Sequence, residues 1–366
     1  MTDTPASQPG YPKHSGRRHY ACRYGLSIIE DYRALTLENE LIRVTILLDK
    51  GTDIIEFLYK PRDVDYLWRN RNGLRSPRSY QSMNPDPAAT FLDWYEGGWQ
   101  ELFPFGGHAA VHRGVNTGMH GEVAYAPWQH EVLTDTEDEV SIRCSVRTRR
   151  YPCKLEKTFT IRKGEPALHI AEAATNESDG PVEIVWGHHP AFGWPFLNES
   201  CVIDFPAATV SVENTLDHTG RLGLTPHSRW PHVPGRDGKA VDISRIAPPS
   251  SQCHDLAVMQ EFTEGWYAIR STETGVGFAL SWDVEVFPYV WFWQNYRGSP
   301  DYPWWGGEYV IAMEPVTSRA LSFGDAVKNG TARTMVGRER IQTALTAWAF
   351  ESKTPVTKIT ASGVKF

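Results

Sequence analysis

The chain has no run of basic residues, no CxxC pair and no stretch of 18 uninterrupted apolar residues. Each gap closes a class of function. Nucleic acid is not an expected partner, because phosphate binding needs a lysine and arginine footprint, and the formal net charge is -7. A membrane is not expected either, because a spanning helix needs about 20 predominantly apolar residues. The five cysteines, Cys22, Cys144, Cys153, Cys201 and Cys253, are odd in number and scattered. That argues against a zinc cluster or a disulfide framework and for a reducing compartment. The stretch MTDTPASQPGYPKHSGRRHY lacks the apolar segment of a secretory signal, so a cytoplasmic location is expected. No GxGxxG follows a strand and no P-loop occurs, so no cofactor is expected.

What is present is β-pattern and aromatic rings. Leu41–Leu47 and Asp53–Tyr59 flank the turn DKGT, EVSIRCSVRT places Val140, Ile142, Cys144 and Val146 on one face, and LEKTFTI alternates at Leu155, Phe159 and Ile161. Period-two runs bounded by Gly, Pro, Asn and Asp predict antiparallel strands. Ile341–Phe350 fits a strand or a helix, and residues 206–252 read mostly as loops. With 366 residues and no composition shift, the economical fold is all-β, one large antiparallel β-sandwich over residues 21–351. Residues 1–20 read as disordered and 352–366 as a polar tail. The 14 Trp, 15 Tyr and 15 Phe gather in FLDWYEGGWQELFPF and FPYVWFWQNYRGSPDYPWW. Most of these rings fill core. Rings mixed with amides and carboxylates on bent segments also suit a concave pocket for a sugar, whose C–H faces stack and whose hydroxyls bond. Trp99, Gln100, Trp293, Gln294 and Trp304 are its candidate lining.

The stretch VWGHHPAFGWPF places two histidines side by side. On a strand they point to opposite faces, so His188 and His189 do different work, and a metal, which prefers i,i+2 spacing on a strand, is not expected. His120 lies in GMHGEV, a glycine-flanked loop expected to leave its ring accessible, and Glu314 ends the apolar run YVIAMEP. A carboxylate there is either paired, with Arg319 the nearest candidate in sequence, or titrates abnormally.

These segments, in order, resemble the galactose mutarotase-like superfamily of aldose 1-epimerases and hexose-6-phosphate epimerases. The resemblance spans about Glu38 to Phe350. GGWQELFPFGG, HGEVAYAPWQ, TNESDGPVEIVWGHHPAF, HDLAVM, IAMEPVTS and MVGRERIQTALTAWAF resemble successive family segments. The resemblance places His189 and Glu314 on the catalytic histidine and glutamate, Asp255 on a sugar-binding aspartate, and Ile341–Phe350 on a closing strand. It implies ring opening and reclosure of a hemiacetal, with Glu314 as base, His189 as acid and His120 bonding the ring oxygen or a neighbouring hydroxyl. Two departures stand out. Ala191 replaces the tyrosine that follows the family's histidine, and Ala124 stands where phosphate epimerases carry an arginine. The expected substrate is therefore a free, unphosphorylated monosaccharide or small glycoside, with Arg113 the candidate partner of an acidic sugar. Two alternatives remain at this stage. One is a lyase or glycoside-processing enzyme on the same sandwich, using Tyr125, Tyr296 or Glu101. The other is a sugar-binding protein without catalysis, which Ala191 favours. Sugar identity, anomer and oligomeric state are not legible.

Overall fold

Alternation builds the molecule. In Cys153–Arg162, CKLEKTFTIR, every second residue is buried, and Ala167–Asn176 and Glu139–Arg147 pair with it on either side. The computed structural model describes residues 18–78, 89–213 and 218–366. Among these, two large antiparallel sheets face each other, one of 14 strands and one of eight. The larger runs from Arg23–Ile29 through Tyr32–Glu38, Ile42–Leu47 and Asp53–Tyr59 to Trp99–Leu102. It continues through Gly187–Gly193, Tyr309–Val316, Tyr289–Tyr296 and Cys253–Gln260. The smaller contains Trp266–Ser271, Val276–Trp282, Arg340–Glu351 and Ala167–Asn176, continuing to Gln129–Asp135 at its edge. Fully buried rings, among them Phe57, Tyr66, Phe192, Tyr267 and Phe278, interlock between the sheets at T-shaped and tilted angles, which adds ring-quadrupole attraction to their area burial.

As the resemblance implies, Arg340–Glu351 is a strand, central in the smaller sheet, because its apolar residues must meet strand neighbours on both edges. The described residues of 206–252 are mostly loop and turn, as expected, but four short strands run through them. Thr209–Val212, Thr225–Arg229, His232–Pro234 and Ala240–Asp242 extend the large sheet at its edge, where half-exposed strands need no hydrophobic run. The segment 352–366 forms a hairpin, Lys358–Thr360 with Gly363–Lys365, that buries Val356 and Ile359. Of the stretch read as disordered, residues 1–17 lie outside the described residues. Arg18 is buried with its guanidinium 2.5 Å from Asp135. Val182–Ile184 pairs with Arg333–Met335, and the chain re-enters the large sheet at Gly187.

The centre of the large sheet matters most here. Gly187–Gly193 lies between Trp99–Leu102 and Tyr309–Val316, with Gly187 opposite Val316 and Ala191 opposite Ala312. That register sets His189 beside Glu314 on the outer face. His188 lies opposite Glu101 and turns to the inner face.

Candidate active site

His189 and Glu314 meet on the outer face of the large sheet, with His189 Nε2 3.4 Å from Glu314 Oε1. Both are nearly inaccessible, at 5% and 3% exposure. Burial alone pushes the Glu314 carboxyl well above its ordinary range. Burial likewise pulls the His189 imidazole down to about 4. Each shift favours the neutral form, as expected where water is scarce. The pairing with Arg319 is not formed. Arg319 binds Glu213 at 3.0 Å, and Glu314 Oε2 is buried with no hydrogen-bond partner. An orphaned oxygen beside an imidazole is the arrangement expected where a ligand supplies the missing partner.

The pair opens into a cavity of about 360 Å³. His120 enters it from the other side, its ring centroid 5.4 Å from that of His189. The loop was expected to leave this ring accessible, but the ring is buried and edge-on to Phe91 at 4.5 Å. Its backbone is left-handed, with φ 59°, and Gly121 follows at φ 86°. A Cβ at Gly121 would lie 2.3 Å from the Phe103 carbonyl oxygen, so only glycine lets the loop pass there. The main-chain N–H of Gly107 donates to His120 Nδ1 over 3.3 Å. A neutral ring that accepts at Nδ1 carries its proton on Nε2 and can donate from there. Burial, then His189, holds this ring well below the ordinary histidine range, so it stays neutral.

The aromatic candidates separate by strand phase. Trp293 and Trp304 line the cavity and pack on each other at 5.2 Å. Trp99 does not line it. It faces the inner side, where its indole N–H donates to His188 Nδ1 over 3.2 Å. Gln100 shares the outer face with His189, but its amide is turned to the Gly97 carbonyl and to Asp53. Gln294 and Asp255, expected at the site, do not line the cavity either. They are cross-strand partners one residue out of phase with the cavity, and both are held by Arg221. Their neighbours Trp293 and His254 point the other way, into the cavity, with the Trp293 indole donating to His254 Nε2 over 2.7 Å. Arg113 is exposed at the surface, paired with Glu183 at 2.9 Å, and does not line the cavity. Among the described lining residues there is no lysine or arginine. Ala124 is buried, with Gly51 packed close against its main chain, so that position has no room for an arginine.

Residues that the sequence did not single out complete the cavity. Tyr95 places its hydroxyl 3.1 Å from His189 Nδ1. Phe91, Trp291 and His254 form walls, and Asp301 lies at the rim. Ala191 sits in a cluster with Trp68, Phe91, Tyr95, Trp293 and Trp304, so these rings occupy the wall. A wider hollow of about 1060 Å³ adjoins across Met119, but its described lining holds no histidine.

His188 is wholly buried between the sheets. Its Nε2 is 3.0 Å from Glu172, and Glu101 lies 3.5 Å from Nδ1. Burial opposes its charge, but Glu172 and Glu101 outweigh that and hold its pKa above the ordinary value. Glu101, Glu172 and His188 offer ligand atoms within 4.8 Å of one another. The Lys157 ammonium already stands among them, 2.6 Å from Glu101 and 3.5 Å from Glu172, and supplies the positive charge a metal would bring. Glu101 and Tyr296, two of the candidates for a lyase, are not among the cavity's lining residues, whereas Tyr125 packs edge-on against Phe91 at 6.5 Å and lines the adjoining hollow.

The fold recurs in solved structures. A candidate aldose 1-epimerase from Klebsiella pneumoniae superposes with a TM-score of 0.70 at 15% identity, over 88% of this chain and 80% of that one. A galactose mutarotase-like protein from Clostridium acetobutylicum gives 0.61 at 12%, over 91% and 99%. A galactose mutarotase related enzyme from Lactobacillus acidophilus gives 0.58 at 17%, over 91% and 100%. Identities this low show the galactose mutarotase-like β-sandwich fold alone. No curated protein matches the sequence. The match that covers most of the chain, residues 30–348, is to the family described as a domain of unknown function (DUF4432), and the chain belongs to that family.

Proposed function

We propose that the protein is an aldose 1-epimerase acting on a free, uncharged sugar, with Glu314 and His189 as its acid–base pair. The observation that carries this reading is the 3.4 Å approach of a buried imidazole to a buried carboxyl whose second oxygen has no partner. Burial makes the ionised carboxylate a stronger base, and the imidazolium a stronger acid, than either is in water. One proton is shared by the pair, so its net charge is zero whether that proton rests on Glu314 or on His189.

Ring opening uses the ion-pair form. The anomeric O–H gives its proton to Glu314 Oε2. The electron pair of that bond forms the carbonyl, the bond from C1 to the ring oxygen breaks, and the ring oxygen takes the proton from His189 Nε2. The products are the open-chain aldehyde, a neutral carboxyl and a neutral imidazole, which are the two forms burial favours. Rotation about the C1–C2 bond and the reverse steps close the ring on the other face. His120 Nε2–H donates to a sugar oxygen in this reading, supported by the Gly107 N–H that bonds its Nδ1. Trp293 and Trp304 offer apolar surface to the C–H faces. Absence of lysine and arginine from the described lining supports an unphosphorylated, non-acidic substrate.

The test is exchange spectroscopy by NMR on a panel of free aldoses, with and without protein. Acceleration of anomer exchange for at least one aldose is expected. Binding without acceleration across the panel would leave a sugar-binding protein as the better account.

A further inference from the structure

Tyr95 is fixed in place before any ligand arrives. Its ring stacks on Phe91 at 4.9 Å and meets Trp68 at 5.4 Å and Trp304 at 6.2 Å. The residue lines the cavity, and its hydroxyl lies 3.1 Å from His189 Nδ1. Burial first, then the carboxyl of Glu314, holds the phenol well above its ordinary range of 10, so it remains O–H. A phenol can donate or accept, and the two directions differ in consequence. If it donates to Nδ1, the neutral ring carries its proton on Nε2. If it accepts from Nδ1–H, Nε2 is a bare acceptor facing Glu314, and the phenolic hydrogen is free to point into the cavity.

The geometry around Nε2 favours the second direction. Glu314 Oε1 stands 3.4 Å from Nε2, and burial favours the neutral carboxyl there; that carboxyl has its acceptor in the ring only if Nε2 is unprotonated.

Resting on the acid–base reading above, we propose that Tyr95 is a positioning residue: its Oη accepts from Nδ1–H of His189, which leaves Nε2 as the single proton-exchanging nitrogen, and it turns its own O–H onto a hydroxyl of the bound sugar. Nδ1 then keeps its proton through every step, since proton traffic on Nε2 requires that tautomer in both the charged and neutral rings. The same oxygen that orients the acid also senses occupancy of the cavity.

The test is nitrogen NMR of the histidine-labelled, unliganded protein, with His189 assigned by loss of its signals in His189→Asn. The Nδ1–H tautomer is expected at neutral pH. In Tyr95→Phe, which retains the stacked ring, the Nε2–H tautomer should rise to a comparable share. Anomer-exchange kcat should fall by about tenfold or more, as for a mis-set proton carrier. KM should rise by about three- to tenfold, the worth of one lost hydrogen bond. An Nε2–H tautomer at His189 in the wild type overturns the proposal. So does a Tyr95→Phe protein that loses rate while its His189 tautomer is unchanged, or one that keeps both. If Tyr95→Phe fails to fold, the wild-type tautomer decides alone. The NMR measurement needs no sugar, so a protein that exchanges no anomers refutes the functional reading and leaves this one separately testable.

Discussion

Replacing Glu314 by Gln should separate activity from stability in opposite directions. The side chain keeps its shape, and its amide can still bond a sugar hydroxyl, but it cannot take the anomeric proton. General acid–base catalysis is typically worth about 10²- to 10⁴-fold. At about 1.36 kcal/mol per tenfold, that is roughly 3–5 kcal/mol of transition-state stabilisation. Sugar affinity should stay within about tenfold, because ground-state contacts persist. Stability should move the other way. The folded protein holds the Glu314 carboxyl above its ordinary value of 4.5. Its contribution is therefore fully present below that value and lost as pH rises through the folded one. Gln carries no such loss, so the variant should match the wild type near pH 4 and gain on it as pH rises. Exchange NMR gives the rate, and denaturant titrations at several pH values give the stability difference. A variant that exchanges anomers at the wild-type rate takes Glu314 out of the chemistry. A variant that is strongly destabilised at neutral pH would show that the carboxylate is held as a buried ion pair, against the environment described for it.

Other outcomes follow from the same geometry. His189→Asn should lose rate like Glu314→Gln, and the double variant should be far less than multiplicatively worse, because acid and base act in one step; kinetics of the three variants check this. With its pKa lowered to about 4, His189 contributes stability fully present above its ordinary 6.5 and lost as pH falls toward 4, and the acid limb of the rate profile should lie near 4; pH-dependent exchange and denaturation measure both. His188→Asn should cost about 3–5 kcal/mol of stability, the usual effect of breaking a buried ionic network, while the folded fraction keeps most of its kcat. Anomer exchange should be faster for a neutral aldose than for its 6-phosphate, since no described lining residue is cationic; competition between the two sugars in one sample decides it.

The sandwich was legible because alternation is a one-dimensional signal, and the runs around Ile142, Phe159 and Ile184 carry it plainly. The doublet was legible too, since adjacent strand residues must diverge. What failed was phase and partnership. The motif HDLAVM located the right strand, but His254 and not Asp255 faces the cavity, a difference of one residue that no motif resolves. Arg113 looked like a free cation, yet its carboxylate lies 70 residues away in sequence. Tyr95 lay inside an aromatic stretch whose rings all read alike, and its distinction is a nitrogen 94 residues distant. Lys157 carries a usable sign of the buried carboxylates. It occupies an inward position between Leu155 and Phe159, where a cation demands buried carboxylates opposite.

Identical neighbours usually make a sliding error in strand pairing hard for a folding chain to detect. Here the two imidazoles sit in environments of opposite demand. One is among carboxylates that favour its charge, and the other is in a dry pocket that opposes it. Moving Gly187–Gly193 by one residue would bring His189 among Glu101, Glu172 and Lys157, and would put Pro190 where the cavity needs an imidazole. Every neighbouring side chain would change face at once. The doublet therefore acts as a proofreading mark for the pairing of the central strand. It penalises the misaligned state through electrostatics, where apolar side chains alone would discriminate weakly between alignments.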